Sequence, residues 1–224
     1  MMKKTFGALL AQAGLGSASA AQPPVQMIDP AKVLFSMSTL AGENPAVTPV
    51  AQVKDFDLVF HEDEWRQVEF YPRSRLAEVE RTLTELKAFE VLHAQGKGWS
   101  KIFLRKIRDA PVLSGADALD SMGRRFGAAA AAAPILFYGS NTIVGRVADG
   151  FSLPLGGGIT LYGVRGPAGI RVLGANVAAG ADDQTLTGAF ATLSASDHLI
   201  IVDWRAHMIL VAVGENGQIE VWRP

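Results

Sequence analysis

The sequence predicts an α+β fold with two lobes, an N-terminal β-β-α-β-α unit and a C-terminal, mostly antiparallel β-rich sheet with one helix. Three observations predict it. Residues 199–222 hold two nearly continuous apolar runs and one alternating segment, a pattern typical of adjacent strands. Residues 74–96 repeat apolar positions every three or four residues, as an amphipathic helix does. An alanine run at 128–133, followed by a proline, separates the two halves.

The composition restricts the classes of function. The chain has 224 residues and 49% of them are hydrophobic, which is enough to build a sizeable core. Lys and Arg number 21 against 22 Asp and Glu, so the net charge of −1 gives no electrostatic reason to expect a nucleic-acid partner. Because the chain has no cysteine, disulfides and thiol chemistry are excluded. We expect no cofactor, and no transmembrane segment, which needs roughly 20 apolar residues.

Residues 1–21 have the layout of a signal peptide. Lys3 and Lys4 give a basic start, a mostly apolar or small segment follows, and small residues precede a possible cleavage site near Ala20. We therefore expect a periplasmic or secreted protein; the alternative is a cytoplasmic protein with a frayed N-terminal tail. The proline-rich residues 22–51 are expected to form an arm or linker that lays one strand on the body.

The predicted N-terminal lobe covers residues 52–127. Two strands are expected at 58–60 and 65–71, joined as a hairpin by the polar residues 61–64. Ser74 is expected to cap the amphipathic helix. The apolar stripe of this helix consists of Leu76, Val79, Leu83, Leu86, Phe89 and Leu92.

After the first helix, a basic strand is predicted at 99–108. Residues 114–117 have the spacing of a capping box, and apolar residues at helical spacing follow as far as Phe126, which predicts a second helix. The alanine run could prolong this helix or connect the lobes.

The predicted C-terminal lobe covers residues 134–224. Asp182 or Asp183 is expected to cap its single helix. The short strands preceding that helix are predicted at 135–138, 142–147, 159–164 and 170–173.

The C-terminal strands are predicted to pair through two tight turns. A turn at 203–206 would place Val202 opposite His207. Asn216-Gly217 favours a type I′ turn, which would place Val213 opposite Glu220 and Val211 opposite Trp222. Alternation in the last strand predicts that Ile219 and Val221 are buried and that Glu220 is exposed.

No stretch has a catalytic, metal or nucleotide signature. The glycine clusters at 156–158 and 163–169 each lead into another strand pattern, so they are interpreted as turns rather than phosphate loops. The strongest polar cluster consists of His61, Glu62, Asp63 and Glu64, which is interpreted as a solvated acidic turn or, alternatively, as a site for a hard cation or a source of acid-base groups. These four residues are also predicted to contribute to partner binding, mainly by tuning the rate of association.

Trp204 and Arg205 lie in a predicted turn, where a tryptophan is difficult to bury. Both residue types are enriched at interaction hot spots, so these two residues are predicted to anchor a partner. The favoured hypothesis is a non-enzymatic bacterial protein that acts through protein-protein contact, as an adaptor, inhibitor or immunity-type protein. The alternative is a cell-envelope hydrolase or carbohydrate-active enzyme that uses carboxylates of residues 62–64 or Asp203.

Overall fold

A computed structural model describes residues 34–107, 111–139 and 142–224. The predicted signal peptide and the first part of the arm, up to residue 33, lie outside the described residues. Within the described ranges the chain forms three α-helices: α1 (Leu76–His93), α2 (Ala118–Phe126) and α3 (Asp183–Asp197). Short 3₁₀ turns occur at Glu62–Glu64 and Arg73–Arg75.

The described ranges also contain sixteen strands. In chain order they are β1 (Thr39–Ala41), β2 (Val47–Thr48), β3 (Val59–His61), β4 (Val68–Pro72), β5 (Ala94–Gln95), β6 (Gly98–Trp99), β7 (Phe103–Arg105), β8 (Leu113–Ser114), β9 (Ile135–Tyr138), β10 (Thr142–Val147), β11 (Gly150–Gly156), β12 (Ile159–Gly166), β13 (Gly169–Val177), β14 (Leu199–Asp203), β15 (Met208–Val213) and β16 (Ile219–Trp222).

Eight strands form the main antiparallel sheet. Its order is β11-β12-β13-β4-β14-β15-β16, with β8 pairing beside β13. Strand β4 comes from the predicted N-terminal lobe, yet it pairs with β14 along its whole length and bridges to β13 at Glu69 and Gly174. The α+β class and the sheet-rich C-terminal part are confirmed. The β-β-α-β-α order of a separate N-terminal unit is not, because strands from both halves share this sheet.

Helices cover both faces of the main sheet. In β14, Ile200 and Val202 belong to a core cluster with α1, whereas Leu199 and Ile201 belong to a cluster with α2 and α3. Alternate residues of a strand point to opposite faces, so β14 is apolar throughout because both of its faces are covered.

The periodicity predictions for the helices are confirmed in their central turns. Val79, Leu83 and Leu86 of α1 are fully buried, but Leu92 in its last turn is 77% exposed. The helix starts after a 3₁₀ turn, so Ser74 does not cap it. Helix α3 is capped as predicted, since the Asp182 carboxylate accepts a hydrogen bond of 3.1 Å from the Gln184 N–H.

A smaller sheet has the order β2-β10-β9-β3, and β3 runs parallel to β9. The predicted hairpin between residues 58–60 and 65–71 is therefore wrong, because β3 and β4 lie in different sheets. The chain changes direction at Arg66, which has a left-handed backbone (φ 60°). Its N–H donates to the Tyr162 hydroxyl at 2.9 Å.

Two predictions for the segments that follow α1 and α2 also differ from the structure. The basic strand predicted at 99–108 is divided between β6 and β7. The alanine run does not prolong α2, since Gly127 ends that helix in the left-handed conformation. Ala131 instead forms a bridge to Ser152 in β11.

Both predicted C-terminal registers are wrong. Asp203 pairs with Met208, and Val213 pairs with Ile219 rather than Glu220. The second loop spans five residues, since the Gly214 N–H donates to the Gln218 carbonyl at 2.7 Å, and the pairing shifts again at residue 211. Strand β16 ends the strand order of the main sheet. There Val221 is 47% exposed instead of buried and Ile219 is half-buried, whereas Glu220 is exposed as predicted.

Candidate functional site

The acidic turn (residues 61–64) and the turn at residues 203–207 meet at one pocket of about 390 Å³. We call it the acidic pocket. Its polar lining consists of Glu64, Gln67, Asn176, Asp183, Asp203 and Arg205, and its apolar lining includes Phe60, Tyr162, Leu186, Ile201 and Leu210.

Within the acidic turn, only Glu64 lines this pocket. His61 caps the 3₁₀ turn, because its Nδ1 accepts a hydrogen bond from the Asp63 N–H at 3.2 Å. The Asp63 carboxylate lies 3.4 Å from the same nitrogen. His61 and Asp63 therefore shape the turn that positions Glu64, and Glu62 does not belong to the pocket lining.

The turn at 203–207 is held by its own aspartate. Asp203 Oδ1 accepts hydrogen bonds from the backbone N–H groups of Arg205 (3.0 Å) and Ala206 (2.9 Å). The Arg205 side chain then reaches across to the acidic turn, where its Nη2 lies 3.6 Å from Glu64 Oε1. Both side chains are about half exposed, so this ion pair contributes less than about 1 kcal/mol and can be exchanged for another partner.

Gln67 supplies a buried acceptor at the wall of the acidic pocket. Its Nε2 donates to the carbonyls of Thr39 (3.0 Å) and Asp63 (2.7 Å), which fixes the orientation of the amide. Its Oε1 is buried and receives no hydrogen bond from any residue in the described ranges. Gln67 also lines an adjoining pocket of about 280 Å³.

Trp204 does not face solvent, so the predicted anchor is wrong. The backbone N–H of Trp204 donates to the backbone carbonyl of Gln67 at 3.0 Å, which continues the β4–β14 pairing beyond the strand ends and directs the indole into the core. The side chain is 0% exposed and its ring lies edge-on to Tyr71. Its neighbour Arg205 is exposed and remains at the pocket.

A buried cluster of charged residues surrounds Trp204, and it was not predicted from the sequence. Glu69 is 1% exposed; its carboxylate pairs with Arg66 Nε at 2.5 Å and accepts the Tyr71 hydroxyl at 2.6 Å. Arg105 lies with its guanidinium 4.8 Å from the Trp204 ring. One available signal was a glutamate within the otherwise apolar strand Val68–Pro72.

Burial controls the protonation of this cluster. It raises the pKa of Tyr71 and of Tyr162 well above the usual range, and the Glu69 charge adds to both shifts. Burial also lowers the pKa of Arg105 to about 10, although Glu69 opposes the shift. For Arg66, burial lowers the pKa, but the charges of Glu69 and Tyr71 outweigh burial and raise it overall. At neutral pH both guanidiniums are therefore cationic.

Within the described ranges, no group of three or more His, Asp or Glu side chains is arranged to hold a metal ion, and no helix is long and apolar enough to cross a membrane. Comparisons of the chain with protein-family models, curated proteins and solved structures found no match.

Proposed function

We propose that this chain is a non-enzymatic binding protein that recognises a protein partner through the acidic pocket. The observation that carries the proposal is that Glu64, Asp203 and Arg205, from two turns far apart in sequence, line one pocket. The proposal keeps Glu64 of the acidic turn and Arg205 as contact residues and replaces Trp204 by the pocket beside it.

The chemistry of the lining indicates what such a partner presents. Three carboxylates against one guanidinium give the lining a formal charge of −2. The remaining walls are largely apolar, and the volume is at the lower end of that of ligand pockets. A partner segment that places a basic side chain next to an apolar one complements both features, because apolar contact supplies affinity while rim charges steer association.

Arg205 moderates the attraction of the acidic pocket for cations of the partner. Its weak pair with Glu64 occupies part of the rim, so an entering cation has to compete with a guanidinium that is already present. Asp203 is available through its second carboxylate oxygen, since Oδ1 is used by the turn.

Short fluorescent peptides with Lys or Arg beside Leu or Phe test the proposal, with Glu-containing peptides of the same length as controls. We expect the basic peptides to bind better and their affinity to fall with salt. The double variant Glu64→Gln and Asp203→Asn should weaken binding at least about tenfold, since asparagine can still hold the turn. Glu215→Gln, on an exposed loop, is the matched control. Equal binding of basic and acidic peptides would contradict the proposal.

A carboxylate-dependent hydrolase is the second candidate, because Glu64, Asp183 and Asp203 line the same pocket. Glycoside hydrolases use two carboxyl groups separated by roughly 5–9.5 Å. Assays on soluble glycans and cell-wall fragments distinguish the two functions. Turnover by the wild type that is abolished separately by Glu64→Gln and by Asp203→Asn would favour the enzyme.

The location of this activity is a further part of the proposal. The layout of residues 1–21 supports a periplasmic or secreted protein. Intact mass after expression in a bacterial host tests it, because export should remove residues up to about Ala20.

A further inference from the structure

A second pocket, of about 590 Å³, lies between residues 41–43 and 105–107. We call it the arginine pocket. Arg66, Arg105 and Lys106 all line it, together with Tyr71. It therefore opens directly onto the buried charged cluster and involves different side chains from the acidic pocket.

Arg105 is a buried cation whose direct contacts with the described residues are all uncharged. Arg105 is only 4% exposed. Its guanidinium donates to Thr39 Oγ1 at 3.1 Å and to the Arg66 carbonyl at 2.8 Å, and it stacks on the Trp204 ring. It forms no ion pair with any residue in the described ranges. Buried charges are normally paired, because an uncompensated charge is costly to remove from water.

The carboxylate nearest to this cluster is already engaged. Glu69 accepts from Arg66 Nε through one oxygen, and from the Tyr71 hydroxyl and more weakly the Trp204 Nε1–H (3.4 Å) through the other. Two guanidiniums thus share one carboxylate, which leaves a formal charge of +1 in the buried cluster.

The two acidic residues at the pocket wall do not remove this excess. Glu78 pairs with Arg75, with 2.8 Å between Oε2 and Nη2. Glu43 is exposed, so its charge is screened by water and salt. Lys106 is also exposed and adds a third cation at the same pocket.

We propose that the arginine pocket binds an oxyanion, the phosphate or carboxylate group of a small ligand, which pairs with the Arg105 guanidinium and is attracted by Arg66 and Lys106. The planar guanidinium matches two oxygens of either group, and the lysine acts as a point charge. The bound anion supplies the charge that Arg105 lacks. This site is independent of the partner proposed for the acidic pocket.

Inorganic phosphate and succinate test the proposal, titrated at pH 7.5 into the full chain with sodium chloride keeping the ionic strength constant. The readout is the NMR signal of the arginine Nε–H groups, assigned for Arg105 by its loss in Arg105→Lys. We expect saturable shifts of the Arg105 and Arg66 signals with one of the two anions or with both, and the stronger binder identifies the oxyanion. Saturable shifts with neither anion would overturn the proposal.

Paired lysine variants locate the site without disturbing the buried cluster. Lys106→Gln should weaken anion binding about three- to fivefold, the effect of a partly exposed charge. Lys97→Gln removes another exposed lysine and should leave the affinity unchanged. An equal effect of the two variants would show general charge screening rather than a site, and would refute the proposal.

Discussion

Trp204→Ala is expected to destabilise the fold severely, by about 4–5 kcal/mol. Truncating a buried aromatic side chain costs about 3–5 kcal/mol, and Trp204 is completely buried. Two contacts place the expected loss in the upper part of that range. The edge-on pairing with Tyr71 has its ring centroids 6.3 Å apart, and the stacked Arg105 loses the π-face that partly compensates its charge.

Urea denaturation of the wild type and the variant, followed by circular dichroism, measures this loss. Trp204→Phe is the matched control, because it retains an aromatic ring in the core but removes the indole N–H that points to Glu69. We expect Trp204→Phe to lose about 1–3 kcal/mol, the cost of a smaller ring and an unmade hydrogen bond to a charged group. It should therefore fall between the wild type and the alanine variant.

A loss below about 1 kcal/mol for Trp204→Ala would refute the reasoning, because such a value is typical of exposed positions. In that case the indole would not pack between β14 and α1. The contact between the Arg105 guanidinium and a buried aromatic ring would then no longer describe the charged cluster. A normal fold with reduced peptide binding would instead return Trp204 to the role of a contact residue.

Two further predictions concern the core. Leu83→Ala should cost about 2–5 kcal/mol because Leu83 is fully buried in α1, whereas Leu92→Ala, the same change at an exposed position of the helix, should stay within about 0.5 kcal/mol in the same denaturation assay. Stability should also fall as the pH rises above about 10. Because the pKa values of Tyr71 and Tyr162 are raised in the folded protein, the unfolded chain releases these two protons first, which lowers the free energy of unfolding as the pH rises. The lowered pKa of Arg105 has the opposite effect for one proton, so the free energy of unfolding should fall by about 1.4 kcal/mol per pH unit at most. Equal stabilities at pH 9 and 11 would contradict this prediction.

The elements that the sequence predicted correctly are those defined by local periodicity. Helices α1, α2 and α3 follow from apolar residues at helical spacing, and β9 and β10 have the predicted bounds. A covered sheet was indicated by the continuous apolar run of β14, whose two faces contact different helices. In each case the pattern depends only on which face of one element is buried.

The order and register of the strands depend on distant parts of the chain, so they could not be predicted. No local feature of residues 68–72 indicates that they lie between β13 and β14 rather than beside β3. The turn residues Asn216 and Gly217 favour a two-residue loop. The protein forms a five-residue loop instead, which moves every pair of that hairpin.

The candidate sites were only partly predictable for the same reason. Glu64 and Arg205 were identified from their residue types, and their shared pocket depends on a contact between turns far apart in sequence. Arg105 gave no signal at all, since it is one of several basic residues in its segment. Its importance comes from its burial beside Thr39 and Arg66, which only the tertiary structure brings together.

Both pockets are organised by the short segment that precedes β4. Gln67 faces the acidic pocket and Arg66 the arginine pocket, and the left-handed backbone at Arg66 turns the chain between them. Stability alone does not require charged residues here. Replacing buried ion pairs by apolar residues is often neutral, or stabilises a protein by about 1–4 kcal/mol. Arg66, Glu69 and Arg105 are thus costly groups for a sheet, but the two guanidiniums are the groups that an oxyanion needs, and this contrast favours a ligand at the arginine pocket over a purely structural role.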